Sequence, residues 1–140
     1  MRKELTALIA DDEAHMRTFM KLVLMDLGVS KIYLMQNGMD AVEAYNEYNP
    51  DLVLLDINMN KMNGLDALEL ILEKNPNAVV VMMTAVSTRE AVQMCSRKGA
   101  AYYVLKTQTP EVIKEQLGDV IDTFFTESNP EAEIKAANDE

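Results

Sequence analysis

Four short apolar runs in this sequence each stop at a polar or charged side chain. The runs are residues 5–10, 52–55, 79–83 and 102–105. The side chains that follow them are Asp11, Asp12, Asp56, Thr84 and Lys106. If the runs are parallel strands of one sheet, their carboxyl ends lie at one edge, where open α/β sheets bind ligands. We therefore expect three carboxylates, a hydroxyl and an ammonium to converge there.

Three carboxylates held close together repel one another unless a cation joins them. At ~4 Å, each pair of charges costs about 4 kcal/mol at an effective dielectric constant of 20. Oxygen ligands without a neighbouring His or Cys favour Mg²⁺ or Mn²⁺ over zinc. Mg²⁺ commonly leaves room for a phosphate oxygen, and Thr84 and Lys106 could contact the same phosphoryl group. These side chains are suited to accepting a phosphoryl group on a carboxylate.

The elements that must position these side chains alternate between strand and helix. Residues 52–55 show no polar alternation, which is typical of a strand buried on both faces of a parallel sheet. Apolar residues at helical spacing predict a helix after each strand, the first over residues 14–27. The fold class is therefore α/β, a flavodoxin-like doubly wound sheet of five parallel strands in the order 2-1-3-4-5 with five helices. That order brings Asp11 and Asp12 next to Asp56.

Local signals predict where some helices begin and which faces they bury. The second strand is expected at residues 32–35. Ser87 begins an S-x-x-E sequence typical of a capping box, with Ser87 as the N-cap. The second helix is expected to bury Val42, Tyr45 and either Tyr48 or Asn49. The last helix is expected to bury Ile113, Leu117, Val120 and Phe124.

The composition predicts one soluble domain followed by an acidic tail. The 140 residues are 49% apolar and carry a formal net charge of −10. This charge disfavours direct binding to nucleic acid or to an anionic membrane, and no apolar run approaches the ~20 residues of a membrane span. One cysteine excludes an internal disulfide. We expect a folded domain over residues 1–127, a disordered acidic tail or linker stub over residues 128–140, and a cytoplasmic location.

In their order along the chain, these motifs resemble a response-regulator receiver domain of two-component signalling. The resemblance extends over residues 4–126 and includes Gly64, eight residues past Asp56. The matching segments are Ala10-Asp11-Asp12-Glu13, Leu54-Leu55-Asp56-Ile57-Asn58-Met59, Thr84-Ala85 and Tyr103-Val104-Leu105-Lys106. Each segment is weak by itself, but all of them stand in order at the expected strand ends.

The resemblance implies a role for each of the three aspartates at the strand ends. Asp56 would accept the phosphoryl group and contribute to the metal site. Asp12 would bind Mg²⁺ (or Mn²⁺) directly, Asp11 would bind it through water, and the backbone carbonyl of Asn58 would complete the protein ligands. The phosphoryl donor would be a sensor histidine kinase or a histidine phosphotransfer protein.

The resemblance also implies a conformational switch. Lys106 would pair with the phosphoryl oxygens, Thr84 would move toward them, and Tyr103 would change rotamer as space opens behind Thr84. The surface of the fourth helix, fifth strand and fifth helix would change as a result. We expect no appended effector domain, and therefore output through an unknown protein partner, with the chain a monomer or a phosphorylation-dependent homodimer.

Two positions depart from the family pattern, and a third bears on turnover. Asn60 and Thr107 stand where the family usually has proline. A cis bond before a residue other than proline costs ~2.5–4 kcal/mol, so we expect a trans bond between Lys106 and Thr107. Val86, two residues past Thr84, is expected to slow autodephosphorylation by placing an apolar side chain near the attacking water.

The sequence is also compatible with other functions. An aspartyl-phosphate phosphatase of the haloacid dehalogenase type needs a second Asp two residues after the nucleophile, where this chain has Asn58. The Lys106-Thr107 sequence also allows a degenerate receiver, which would act as a phosphorylation-independent interaction module. A DNA-binding regulator would require a further domain. Asp11, Asp12 and Asp56 could also be ordinary helix caps and turn residues.

Overall fold

Five strands alternate with five helices in the computed structural model, which describes residues 4–85 and 88–125. The strands are β1 (Leu5–Ala10), β2 (Val29–Met35), β3 (Leu52–Asp56), β4 (Val79–Thr84) and β5 (Tyr102–Leu105). The helices are α1 (Ala14–Asp26), α2 (Gly38–Tyr48), α3 (Gly64–Lys74), α4 (Arg89–Arg97) and α5 (Pro110–Phe125). The predicted tail and Val86 lie outside the described residues.

All strand pairs are parallel and the sheet order is β2-β1-β3-β4-β5, which confirms the predicted fold class. The register sets Asp56 beside Met83 and Thr84 beside Leu105. The carboxyl ends of β3, β4 and β5 therefore finish almost level with one another. This alignment brings the polar residues at the ends of these strands to one edge of the sheet.

Helices cover both faces of the sheet. The apolar faces of α1 and α5 pack on one face, and those of α2, α3 and α4 pack on the other. Leu52 and Leu54 point into the first core and Val53 and Leu55 into the second, because successive strand residues alternate between faces. All four are fully buried, and each contributes roughly 1.5–3 kcal/mol by leaving water. β3 is thereby fixed rigidly, with Asp56 at its end.

The buried face of α2 matches the prediction at Tyr45 and differs from it elsewhere. It consists of Gly38, Ala41, Ala44 and Tyr45, whereas Val42 is only half-buried. Tyr48 and the C-cap residue that follows it are exposed, and the Tyr48 ring instead stacks on Tyr33 with centroids 4.1 Å apart. Small alanines let α2 approach the sheet closely, and a search for large apolar residues misses them.

Three other local predictions are also corrected. Ile121 is buried in α5, whereas Phe124 is 48% exposed. The N-cap of α4 is Thr88, whose hydroxyl accepts from the Ala91 amide at 3.1 Å, rather than Ser87, which lies outside the described residues. β2 begins at Val29, three residues earlier than expected. Within the described ranges, no helix combines the length and the apolar character that crossing a membrane requires.

Candidate functional site

The three predicted carboxylates lie together at the carboxyl edge of the sheet. One oxygen from each of Asp11, Asp12 and Asp56 lies within 4.8 Å of the others. Asp11 and Asp56 are buried, with 0% and 4% of their surface exposed, whereas Asp12 is exposed. The cluster thus has a buried floor of two carboxylates and a third that faces solvent.

The turn after β1 fixes Asp11. Its amide donates to the Met35 carbonyl at 3.2 Å, and its Oδ1 accepts from the Glu13 amide at 2.9 Å. Arg17 Nη1 donates to the Asp11 carbonyl at 2.8 Å. These contacts hold the carboxylate in one orientation, with Oδ2 facing Lys106 Nζ at 2.8 Å.

Lys106 reaches the cluster from the end of β5, and its side chain is only 7% exposed. Its Nζ lies 2.8 Å from Asp11 Oδ2, 3.4 Å from Asp56 Oδ2 and 3.4 Å from Glu13 Oε1. Its amide donates to the Thr84 carbonyl at 2.7 Å, which anchors the loop to β4. The ammonium therefore partly neutralises the repulsion among the acids.

The pKa values of Asp56 and Lys106 both lie above their ordinary values. Burial, and then the charge of Asp11, raise the pKa of Asp56 to about 6, although Lys106 opposes the shift. Burial lowers the pKa of Lys106, but the contacts with Asp11 and Asp56 outweigh it and leave the pKa above its ordinary value. Near neutral pH, Asp56 is therefore mainly a carboxylate and Lys106 an ammonium.

The site opens to solvent through a cavity of about 230 Å³. The cavity is lined by Asp12, Glu13, Asp56, Asn58, Ala85 and Lys106. Asp11 Oδ2 is buried, and its contact with Lys106 lacks the alignment of a hydrogen bond. A hard divalent cation fits this donor set, because the carboxylates supply oxygen ligands and the buried Oδ2 lacks an aligned donor.

The loop after Asp56 is folded tightly back on β3. The Gly64 amide donates to the Ile57 carbonyl at 2.8 Å. A Cβ atom on Gly64 would lie 2.2 Å from the Asp56 carbonyl oxygen, so only glycine fits. This close approach fixes the loop that carries Asn58, whose carbonyl is the predicted fourth protein ligand.

Thr84 and Tyr103 lie together beside the cluster. Thr84 is the last residue of β4 and is 2% exposed. Tyr103 is half-buried and hydrogen-bonds to the Thr84 side chain. Cys95 on α4 is buried next to Tyr103. The hydroxyl predicted to contact the phosphoryl group is thus already coupled to the predicted switch residue.

The loop after Lys106 has the predicted trans peptide bond to Thr107. Three residues without a predicted role contact the site or its supporting loop, namely Glu13, Arg17 and Gln108. Glu13 directly follows Asp12 in the sequence, and this position was the signal that it could lie at the site. The contact made by Arg17 depends on the turn of α1, and that made by Gln108 depends on where α5 packs.

Comparisons with known proteins agree with this geometry. The chain matches the family described as the response regulator receiver domain over residues 7–118. It is 37% identical over 113 residues to the chemotaxis protein CheY of Listeria monocytogenes, covering 81% of this chain and 95% of that protein. It is also similar to CheY in the CheX-CheY-BeF3-Mg complex from Borrelia burgdorferi, with 30% identity and a TM-score of 0.78, over 87% of this chain and 90% of that one. The chain therefore belongs to the response regulator receiver domain family.

Proposed function

We propose that this chain is a phosphorylation-controlled binding module in which Asp56 accepts a phosphoryl group from a phosphohistidine. The donor is a sensor histidine kinase or a histidine phosphotransfer protein. The observation that supports this most strongly is the position of Asp56, a buried carboxylate between two further acids and an ammonium. A buried acidic cluster is costly for folding alone, so a binding role explains it better than a structural one.

In the proposed reaction, an Asp56 oxygen attacks the phosphorus as the bond from phosphorus to the histidine nitrogen breaks. The released imidazole nitrogen takes a proton from solvent. Lys106 balances charge on the phosphoryl oxygens, and the Thr84 hydroxyl donates to one of them. Lys106 already lies beside Asp56, whereas the Thr84 side chain must turn to reach the phosphoryl group.

A divalent cation, Mg²⁺ or Mn²⁺, would be held by Asp11, Asp12, Asp56 and the carbonyl of Asn58. When bound, it would neutralise charge on the phosphoryl oxygens. The Borrelia complex contains BeF3 and Mg, which supports the proposal that this chain binds a cation and has a phosphorylated state.

The proposed output is a change in the surface formed by α4, β5 and α5. The hydrogen bond between Tyr103 and Thr84 would be exchanged when Thr84 turns toward the phosphoryl group, and Tyr103 would then be free to change rotamer. Pairing of the Borrelia CheY with CheX supports a protein as the partner that reads such a surface. The chain itself is not proposed to turn over a separate substrate.

Intact mass spectrometry after incubation with acetyl phosphate tests the proposal. We expect one phosphate adduct that requires Mg²⁺ and is absent from Asp56→Asn. Asp66→Asn is the matched control, because Asp66 is an exposed aspartate on α3. An adduct that persists in Asp56→Asn would contradict the assignment.

One observation favours a second candidate, a receiver that acts without phosphorylation. Lys106 already contacts both Asp11 and Asp56, so the acids are partly balanced without a cation. A permanent ion-pair network would suit a constitutive interaction surface. The absence of any adduct, together with no binding of beryllofluoride, would support this second function.

A further inference from the structure

The segment between β5 and α5 holds the backbone of Lys106 from two sides. On one side, the Lys106 amide donates to the Thr84 carbonyl at 2.7 Å. On the other side, the Gln108 amide donates to the Leu105 carbonyl at 3.3 Å and closes a four-residue turn. Lys106 is the second residue of that turn, so the turn sets the direction in which its side chain leaves the backbone.

The side chain of Gln108 braces the same turn. Its Nε2 donates to the Leu105 carbonyl at 3.1 Å and to Gln116 Oε1 at 3.0 Å. Gln116 Nε2 donates back to Gln108 Oε1 at 3.4 Å. Both side chains are half-buried, and their reciprocal amide pair ties the turn to α5.

This brace acts where the backbone has little restraint of its own. Thr107 is exposed, the bond before it is trans, and threonine has no ring to fix its backbone. The ammonium of Lys106 must nevertheless stay within 2.8 to 3.4 Å of the carboxylate oxygens of Asp11 and Asp56. A loop that loosened would release this lysine, because its side chain is long and flexible.

We propose that Gln108, held by Gln116, is a positioning residue that keeps the Lys106 ammonium at the acidic cluster for phosphoryl transfer. The proposal rests on the proposed function of Asp56. It assigns to two neutral amides a role in the rate of phosphorylation, although neither amide touches the reacting atoms.

Isosteric variants test the proposal through the chemistry of each amide. Gln116→Glu keeps an oxygen that accepts from Gln108 Nε2, so its phosphorylation rate should stay near that of the wild type. Gln108→Glu has no side-chain N–H to donate to the Leu105 carbonyl. Gln108→Glu and Gln108→Ala should therefore be slower with acetyl phosphate at saturating Mg²⁺, by roughly 3- to 10-fold, the factor expected for one lost hydrogen bond.

Two further measurements separate positioning from general structural damage. Mg²⁺ affinity by calorimetry should not weaken in the Gln108 variants, because the carboxylates are untouched and a displaced ammonium competes less for them. Acylation of Lys106 by an amine-reactive ester, read by peptide mass, should increase as the lysine leaves its buried position. Gln36→Ala, which removes an exposed glutamine after β2, should change none of these quantities.

The proposal is overturned if Gln108→Ala and Gln108→Glu phosphorylate at the wild-type rate. A parallel loss of Mg²⁺ affinity and rate would also overturn it, since that outcome indicates damage to the whole site. If Gln108→Ala does not fold, the two glutamate variants decide the question. If the wild type forms no adduct, the proposed function is wrong, and Lys106 acylation in the same variants still decides whether Gln108 positions the lysine.

Discussion

Lys106 Nζ lies 2.8 Å from Asp11 Oδ2, closer than its 3.4 Å separation from Asp56 Oδ2. Before a cation binds, the lysine therefore occupies the position of a counter-ion to the buried acid. A divalent cation must share or displace this ammonium, because both need the same carboxylate oxygens. Cation binding is thus expected to compete with the contact between Lys106 and Asp11, while Lys106 stays beside Asp56.

Lys106→Met removes this competing charge while keeping much of the side-chain volume. We expect Mg²⁺ affinity to rise by roughly tenfold or more, since opposite charges ~4 Å apart attract each other by about 4 kcal/mol at an effective dielectric constant of 20. Phosphorylation should slow in the same variant, because charge on the phosphoryl oxygens loses its partner. Calorimetric Mg²⁺ titration and intact mass measure the two effects. Lys114→Met, which removes a surface pair with Asp26, is the control, and equal Mg²⁺ affinity in all three proteins would refute this competition.

The raised pKa of Asp56 predicts a pH-dependent stability. Because this pKa rises from 3.8 unfolded to about 6 folded, the folded state holds the proton more tightly. The associated stability is fully present below about pH 4 and is lost as pH rises through about 6. Asp56→Asn, which resembles the protonated carboxyl, should therefore be more stable than the wild type near pH 7.5, by up to roughly 3 kcal/mol.

Urea unfolding in EDTA at several pH values checks this effect. The difference between Asp56→Asn and the wild type should shrink toward zero near pH 4. Added Mg²⁺ should stabilise the wild type more than the variant, because it binds only the intact site well. A variant less stable than the wild type near pH 7.5 would show that the buried carboxylate carries no electrostatic cost.

The close approach of Gly64 to Asp56 predicts a strict requirement for glycine. A Cβ there would meet the Asp56 carbonyl oxygen at 2.2 Å, and backbone must shift to relieve the overlap. We expect Gly64→Ala to lose about 1–3 kcal/mol of stability and to phosphorylate more slowly. Gly118→Ala is the matched control in α5, where the nearest atom is 3.4 Å away and alanine should stabilise by up to about 1 kcal/mol. Urea unfolding that gave both variants the same sign would argue against the steric explanation.

Val86 carries a prediction that comes from the sequence alone. An apolar side chain two residues past Thr84 should keep water from the phosphoryl group, so Val86→Glu or Val86→Asn should lose phosphate faster. The decay of the purified phosphoprotein, followed by mass, measures this rate. An unchanged decay rate in both variants would show that Val86 does not slow the loss of phosphate.

The strand ends were predictable because they follow from few physical rules. Leu52 to Leu55 are apolar without alternation, which indicates a central strand, and parallel strands share one carboxyl edge. Asp56 and Lys106 could therefore be placed together from the order of the strands. The trans bond after Lys106 followed from the cost of the cis alternative.

Other features depend on packing that no local pattern encodes. Ala41 and Ala44 are buried because small side chains let α2 approach the sheet, and alanine gives a weak periodic signal. The reciprocal pair of Gln108 and Gln116 forms only when the second turn of α5 faces the loop. Such contacts become visible only when the helices are in place.

Mapping the phosphorylated residue tests the central claim most directly. Borohydride reduces an acyl phosphate on aspartate to homoserine, and peptide mass spectrometry then locates the changed residue. We expect homoserine at position 56 in the wild type treated with acetyl phosphate and Mg²⁺, and none without Mg²⁺. Homoserine at Asp11 or Asp12, or phosphate on a hydroxyl side chain with Asp56 unchanged, would contradict it.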